Sequence, residues 1–432
     1  MQMSFSTTAS ATLSGKYGST MAALPKTRSS VSLKSVATSI DNDGASASPT
    51  LCNLERAEAI ECNAANSREI AFLDLSPAEL DVSEALGVRA PDTIECVRIN
   101  RCRMTGADFA SIVDSLCQFE LPRLHTVDIS QNHVGGPQAA AALHKLLAHA
   151  PTIRFLYLGW NQLALADLKH LATSPSHTFK ISYLDLRSNP LSATPQKSKS
   201  KSKKSSPLPE ASTLNTVSCI SWIDGLVASL PELTHVLMAQ ASLDNQTLSA
   251  FMCALTRPES RVEYIGLEWV GLGSRLATLN NIMKGLAPVS SGASARPLHL
   301  NLASNNLGDS GAEIISQSNA RLTSATLACN FITERGTGFL AKWLPESGLE
   351  SLDLSDNYFG DQGIVSLLDL DTARKNPNAF ATQLKSLGLN SCCLSDVSLR
   401  MLGEALEYKW APLETLRILR NSRISPGAKI AI

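Results

Sequence analysis

From about Ile70 onward the chain returns again and again to one arrangement of apolar positions. An apolar residue is followed at the third and fifth places by two more, and three places later by Asn or Cys. Clean copies are Leu124-His-Thr-Val-Asp-Ile-Ser-Gln-Asn132, Ile153-Arg-Phe-Leu-Tyr-Leu-Gly-Trp-Asn161, Ile181-Ser-Tyr-Leu-Asp-Leu-Arg-Ser-Asn189, Leu349-Glu-Ser-Leu-Asp-Leu-Ser-Asp-Asn357 and Leu413-Glu-Thr-Leu-Arg-Ile-Leu-Arg-Asn421. With the last position of each copy as its marker, twelve repeats are found: Ala78, Cys102, Asn132, Asn161, Asn189, Ala241, Val270, Asn305, Asn330, Asn357, Cys392 and Asn421. Apart from one interval of 52, between Asn189 and Ala241, the markers stand 24 to 35 residues apart and average about 29.

Alternate residues of a short strand face opposite ways. The two apolar positions three and five before each marker therefore point into a core, and their neighbours face outward. Between strands the sequence turns helical, as at 136–148, 244–255 and 395–406, where apolar residues recur at three and four spacing. Spacings near 28 leave room for a full helix. The pattern predicts an α/β solenoid with a parallel sheet on its concave side and helices on its convex side. The marker Asn or Cys is expected to satisfy backbone groups of the turn that would otherwise be unpaired in the core.

The stretches Asn305-Asn-Leu-Gly-Asp-Ser-Gly311, Asn330-Phe-Ile-Thr-Glu-Arg-Gly336 and Asn357-Tyr-Phe-Gly-Asp-Gln-Gly363 resemble the strand-to-helix turn of ribonuclease-inhibitor-like leucine-rich repeats. The resemblance covers residues from about 70 to 432 and implies a leucine-rich-repeat horseshoe of about 12 repeats. That family spans inhibitors, GTPase activators, regulatory subunits and immune receptors, so it implies an architecture and leaves function open. Locally, Pro122 to Asn132 followed by Phe155 to Asn161, and Leu387 to Leu394, are similar to repeats of Ran GTPase-activating proteins. Where that family has an Asn-Asn pair and a Gly-Leu-Gly turn, this chain has Trp160-Asn161-Gln162-Leu163-Ala164. The departure assigns Asn161 to the structural ladder.

Composition divides the chain into residues 1–66, a Ser/Thr-rich segment expected to be disordered, and 67–432, the repeat domain. The first 40 residues hold 16 Ser or Thr and four basic residues with no acid before Asp41. Such a segment reads either as an organellar transit peptide or as a disordered, phosphorylatable tail. The long interval contains Lys197-Ser-Lys-Ser-Lys-Ser-Lys-Lys-Ser-Ser206, expected to be a disordered insertion spanning about 192–213. At the other end only eleven residues follow Asn421, so Pro426 to Ile432 is either an unusual cap or the start of a continuation.

Chemistry narrows the picture by exclusion. With 38 Lys+Arg against 39 Asp+Glu the net charge is −1, so no global field draws the chain to nucleic acid or to a membrane surface. No apolar run reaches the roughly 18 residues of a membrane span. Neither a phosphate-cradling Gly loop, nor G-x-S-x-G, nor H-E-x-x-H occurs, and the ten cysteines and eight histidines fall in no zinc spacing. No catalytic residue, metal or cofactor is expected; the thiols read as reduced, in a monomer of the cytoplasm or nucleus.

What remains is a surface. Six, four, two and one residues before each marker should line the concave face. There Phe155, Tyr183, His235, Tyr264 and His299 fall at the same place in successive repeats, with Tyr157, Trp160 and Trp269 beside them. Aromatic residues are only 5% of the chain, so their alignment marks this stripe as the candidate contact surface for a protein partner. Acids border the stripe, Glu268 and Asp185 among them, and Arg187 joins it from the fifth repeat. The competing reading is that the rings pack on one another across adjacent strands. A non-enzymatic scaffold is thus the leading expectation, with activation of a Ran-like small GTPase as the alternative.

Overall fold

Each of the short apolar segments becomes a strand, and the strands pair in sequence order. In the computed structural model β1 is Glu69–Leu73, β2 Cys96–Asn100, β3 Thr126–Asp128 and β4 Phe155–Tyr157. They are followed by β5 Tyr183–Asp185, β6 His235–Leu237, β7 Tyr264–Gly266 and β8 Arg296–Asn301. The last four are β9 Leu322–Thr326, β10 Ser351–Asp353, β11 Ser386–Gly388 and β12 Thr415–Arg417. All twelve form one open parallel sheet in the order β1 to β12. The structure describes residues 68–425 apart from 89, 173–177, 193–221, 288–295, 321, 370–381 and 408–409. These residues belong to the compact unit Glu61–Ile432. The segment 1–66, the lysine insertion from 193 on and the stretch 426–432 lie outside the described residues.

Strand pairing matches Thr126 with Phe155, Tyr183, His235, Tyr264 and His299 in turn. From Cys102 to Asn421 every marker lies six residues after the position so aligned, as the spacing predicts. The first repeat is the exception. Glu69 pairs with Cys96, which moves its marker from Ala78 to Leu75. Ile70, Phe72, Leu73 and Leu75 are all apolar, so the pattern fits two registers. Pairing selects the one that buries Ile70, packs Phe72 on the core and leaves Leu73 outside, 54% exposed.

The core is a single cluster running from Ile70 to Ile424. Strand residues three and five before the markers, such as Leu156 and Leu158 or Leu184 and Leu186, meet the apolar stripes of the connecting helices. The three helices expected from sequence are Gly136–His149, Asn245–Leu255 and Asp396–Glu407. The second begins where the Asp244 carboxylate accepts the Thr247 N–H at 2.8 Å. In the helix after Asn357, Gly360–Leu368, a Cβ at Gly363 would overlap the Phe359 side chain, which is why the motif demands Gly there.

The marker side chains form a ladder along the solenoid. Asn357 Oδ1 accepts from the backbone N–H of Asn330 (3.1 Å) and Ile332 (2.9 Å), while its Nδ2 donates to the carbonyls of Leu327, Leu354 and Ser355. Asn132, Asn161, Asn189, Asn305, Asn330 and Asn421 repeat the scheme. At Cys102 and Cys392 the thiol donates to two carbonyls in place of the amide. Burial pushes the Cys392 thiol up to about 12. Ala241 and Val270 have no such group, so the ladder is interrupted at β6 and β7.

A second regularity was not foreseen. The residue before every marker, Asp74 of the corrected first repeat included, adopts φ between +52° and +59°, and none of the twelve is Gly. Each pays roughly 1–2 kcal/mol for a left-handed backbone. This turn swings the chain out of the sheet and sets its side chain at the rim, where Trp160 and Trp269 stand.

Candidate functional site

The aligned rings of the concave face are in contact. Phe155 and Tyr183 have centroids 6.4 Å apart, Tyr157 and Tyr183 5.0 Å, Tyr183 and His235 5.8 Å, His235 and Tyr264 5.8 Å, and Tyr264 and His299 4.8 Å. His125 extends the row by an edge contact with Phe155 at 6.3 Å. Parallel strands stand about 4.8 Å apart, close enough for successive rings to shield each other. Packing across strands, the competing expectation, is therefore what these side chains do. Burial favours the neutral form of both central imidazoles. Burial lowers His235, and it lowers His299 to about 4 against the opposing charge of Asp353.

Of the ten residues singled out from sequence, all lie on the concave side and its rim, but they are not equally accessible. Trp269 is 58% and Trp160 39% exposed. Phe155, Tyr157, His235, Tyr264 and His299 are half-buried. Tyr183, Arg187 and Glu268 correct the expectation of an open stripe, because they are buried at 4%, 8% and 7% exposure. Neighbouring rings cover Tyr183 on both sides. Arg187 lies 4.7 Å over the Trp160 ring and grips Asp185 with two bonds, Nε to Oδ1 at 3.0 Å and Nη2 to Oδ2 at 2.9 Å.

Glu268 is, with His299, the most perturbed group of the face. Its Oε1 accepts from Asn301 Nδ2, which also donates to the Tyr264 hydroxyl at 3.0 Å. Its Oε2 is buried without a hydrogen-bond partner. The carboxyl fits only because position 266 is Gly: a Cβ there would stand 2.9 Å from Oε2. Burial raises Glu268 to about 7, with Asp185 adding to the shift and Arg187 and Asn301 opposing it. The carboxyl is thus held well above the usual carboxylate range. The centre of the face, over β5 to β7, combines packed rings, an acid raised by burial and one internally satisfied ion pair.

Two features escaped the sequence reading. Phe331 and Tyr358, each just after its marker, are exposed and stack at 6.2 Å. At the N-terminal edge of β3 to β5, an open recess of about 500 Å³ gathers Arg123, His125, Arg154 and Lys180. Both were legible as positions in the repeat, one after the marker and seven or nine before it. Asn161, where the similarity to GTPase activators falls, is a ladder residue: its amide serves Val134 N, Ile129 O, Leu158 O and Gly159 O. The seven described cysteines are free. No helix among the described residues is long and apolar enough to cross a membrane.

No curated protein matches the chain. Among solved structures it is similar to an internalin from Listeria monocytogenes, at 14% identity over 83% of this chain and 82% of that one, with a TM-score of 0.37. It is similar also to the leucine-rich-repeat domain of APL1, at 16% identity over 81% of this chain and 74% of that one, TM-score 0.31. Residues 298–316, in β8 and its helix, and 349–368, in β10 and its helix, match the family model described as Leucine Rich repeat, and both stretches lie within the open twelve-stranded parallel sheet and its connecting helices.

Proposed function

We propose that this chain is a protein-binding scaffold whose partner seats on the concave face between Trp160 and Trp269. The observation that carries this reading is the exposure of two tryptophans at the rim of a packed ring surface. The Trp269 indole is mostly exposed, and the Trp160 ring meets Arg187 on one side and water on the other; covered by a partner, Trp is the residue type that most often dominates interface energy. Their repeats lie three strand spacings apart, roughly 14 Å, with Ser188 and Gln240 hydrogen-bonded between them at 2.9 Å. That width suits one extended segment or the edge of a helix.

The test is a Trp160→Ala, Trp269→Ala double variant. Both side chains are exposed, so its thermal transition should stay within about 2 °C of wild type. Affinity purification with quantitative mass spectrometry should show the partners of the wild type depleted at least tenfold. A photo-crosslinking amino acid at position 269, compared with one at the convex position 400, should capture the same partners from the concave side. Equal recovery by wild type and double variant would overturn the proposal.

A further inference from the structure

Arg123, Arg154 and Lys180 come from the turns that lead into β3, β4 and β5, and all three are exposed. Among the described residues no ion pair or side-chain hydrogen bond engages any of them. The one acid of the recess, Glu95, lies at its β2 end, 4.0 Å from Arg68. Like charges on adjacent strands repel, and Glu95 is the one acid among the described residues that line the recess with this row. A chain of net charge −1 has concentrated three unpaired cations in one cavity.

We propose that this recess docks an acidic peptide segment, the flank of the protein partner whose apolar part lies on the ring ladder; it thus rests on the concave-face reading and adds the partner's charge. The edge contact of His125 with Phe155 joins the recess directly to the ladder. The three cations spread over two strand spacings, about 10 Å. That span suits carboxylates on successive side chains of an extended chain, which lie about 7 Å apart on one face. Glu95 closes one end against an acid, so the peptide's acidic run should end over β3.

The experiment uses the full chain and a fluorescein-labelled decaglutamate, read by anisotropy at 50 mM and 300 mM salt. Wild type should bind at low salt and release the peptide at high salt. Arg123→Gln, Arg154→Gln, Lys180→Gln together should weaken binding about tenfold or more. A charge-matched control, Lys284→Gln, Lys342→Gln, Arg400→Gln, which alters exposed cations elsewhere, should stay within twofold. Loss of equal size in both variants, or absence of binding by wild type, overturns the proposal. So does displacement by inorganic phosphate at its own millimolar strength, which would make the recess a single-anion site, or tighter binding of an oligouridylate of equal length. The Trp160→Ala, Trp269→Ala variant should bind decaglutamate as wild type does, so failure of the concave-face reading and failure of this one are seen separately.

Discussion

Replacing Glu268 by Gln should stabilise this protein, and by an amount that depends on pH. In the native state the carboxyl releases its proton at about 7, against 4.5 for an ordinary one. Between those values the folded chain binds more protons than the unfolded chain, so stability falls as pH rises. Below about 4.5 both states are protonated and the burial carries no ionic cost; above about 7 the cost is complete. The shift corresponds to roughly 3 kcal/mol. Gln preserves the shape and the acceptor for Asn301 and has no charge, so the gain over wild type should be about 1 kcal/mol at pH 5 and about 3 kcal/mol at pH 8.5. Urea denaturation of both proteins at half-unit intervals across that range reads the difference directly. Should the two stability curves run parallel, Glu268 titrates as an ordinary carboxylate and the account of its burial is wrong.

Other outcomes test the scaffold. Asn357→Ala removes two acceptor contacts and three donor contacts from buried backbone and should cost at least 1–3 kcal/mol in denaturant titrations; an unchanged midpoint would end the ladder account. Leu186, fully buried behind the sheet, should cost about 2–5 kcal/mol on truncation to Ala, with loss of hydrogen-exchange protection first in the neighbouring repeats. At pH 8 iodoacetamide should alkylate the exposed Cys253 and Cys393 and spare Cys392, whose thiol is held near 12. Tandem mass spectrometry resolves the adjacent pair, and labelling of Cys392 at the rate of Cys393 would refute its placement.

The sheet and its register were legible because one periodicity carries them: position six before the marker pairs with its equivalent for eleven strands running. It misled at β1, an edge strand with no repeat before it, where four apolar residues satisfy two registers. The candidate face was legible as a face and illegible as a surface. Alternation says that Tyr183, Arg187 and Glu268 point away from the core, but whether water reaches them depends on neighbours 50 residues distant in sequence, such as His235. The cationic recess was missed for a related reason. Its residues lie in the turns before the strands, where the repeat pattern imposes no residue type, so only the stacking of three repeats reveals that Arg123, Arg154 and Lys180 share a cavity.

Two kinds of unfavourable geometry run through this molecule, and they differ in distribution. Left-handed non-Gly residues occur before every marker; a cost repeated in all twelve repeats is part of how the solenoid turns, and nothing about partners follows from it. Among the described residues Glu268 is the one carboxyl that burial raises well above the usual range, and one recess, beside β3 to β5, holds the row of unpaired cations. A requirement of the fold would recur with the repeat. Features that break the repeat's own symmetry and destabilise the free chain are retained for something the fold does not need. Both stand along the same stretch of sheet as Trp160 and Trp269, and the proposal of a partner on the concave face rests on this coincidence more than on the number of aromatic residues.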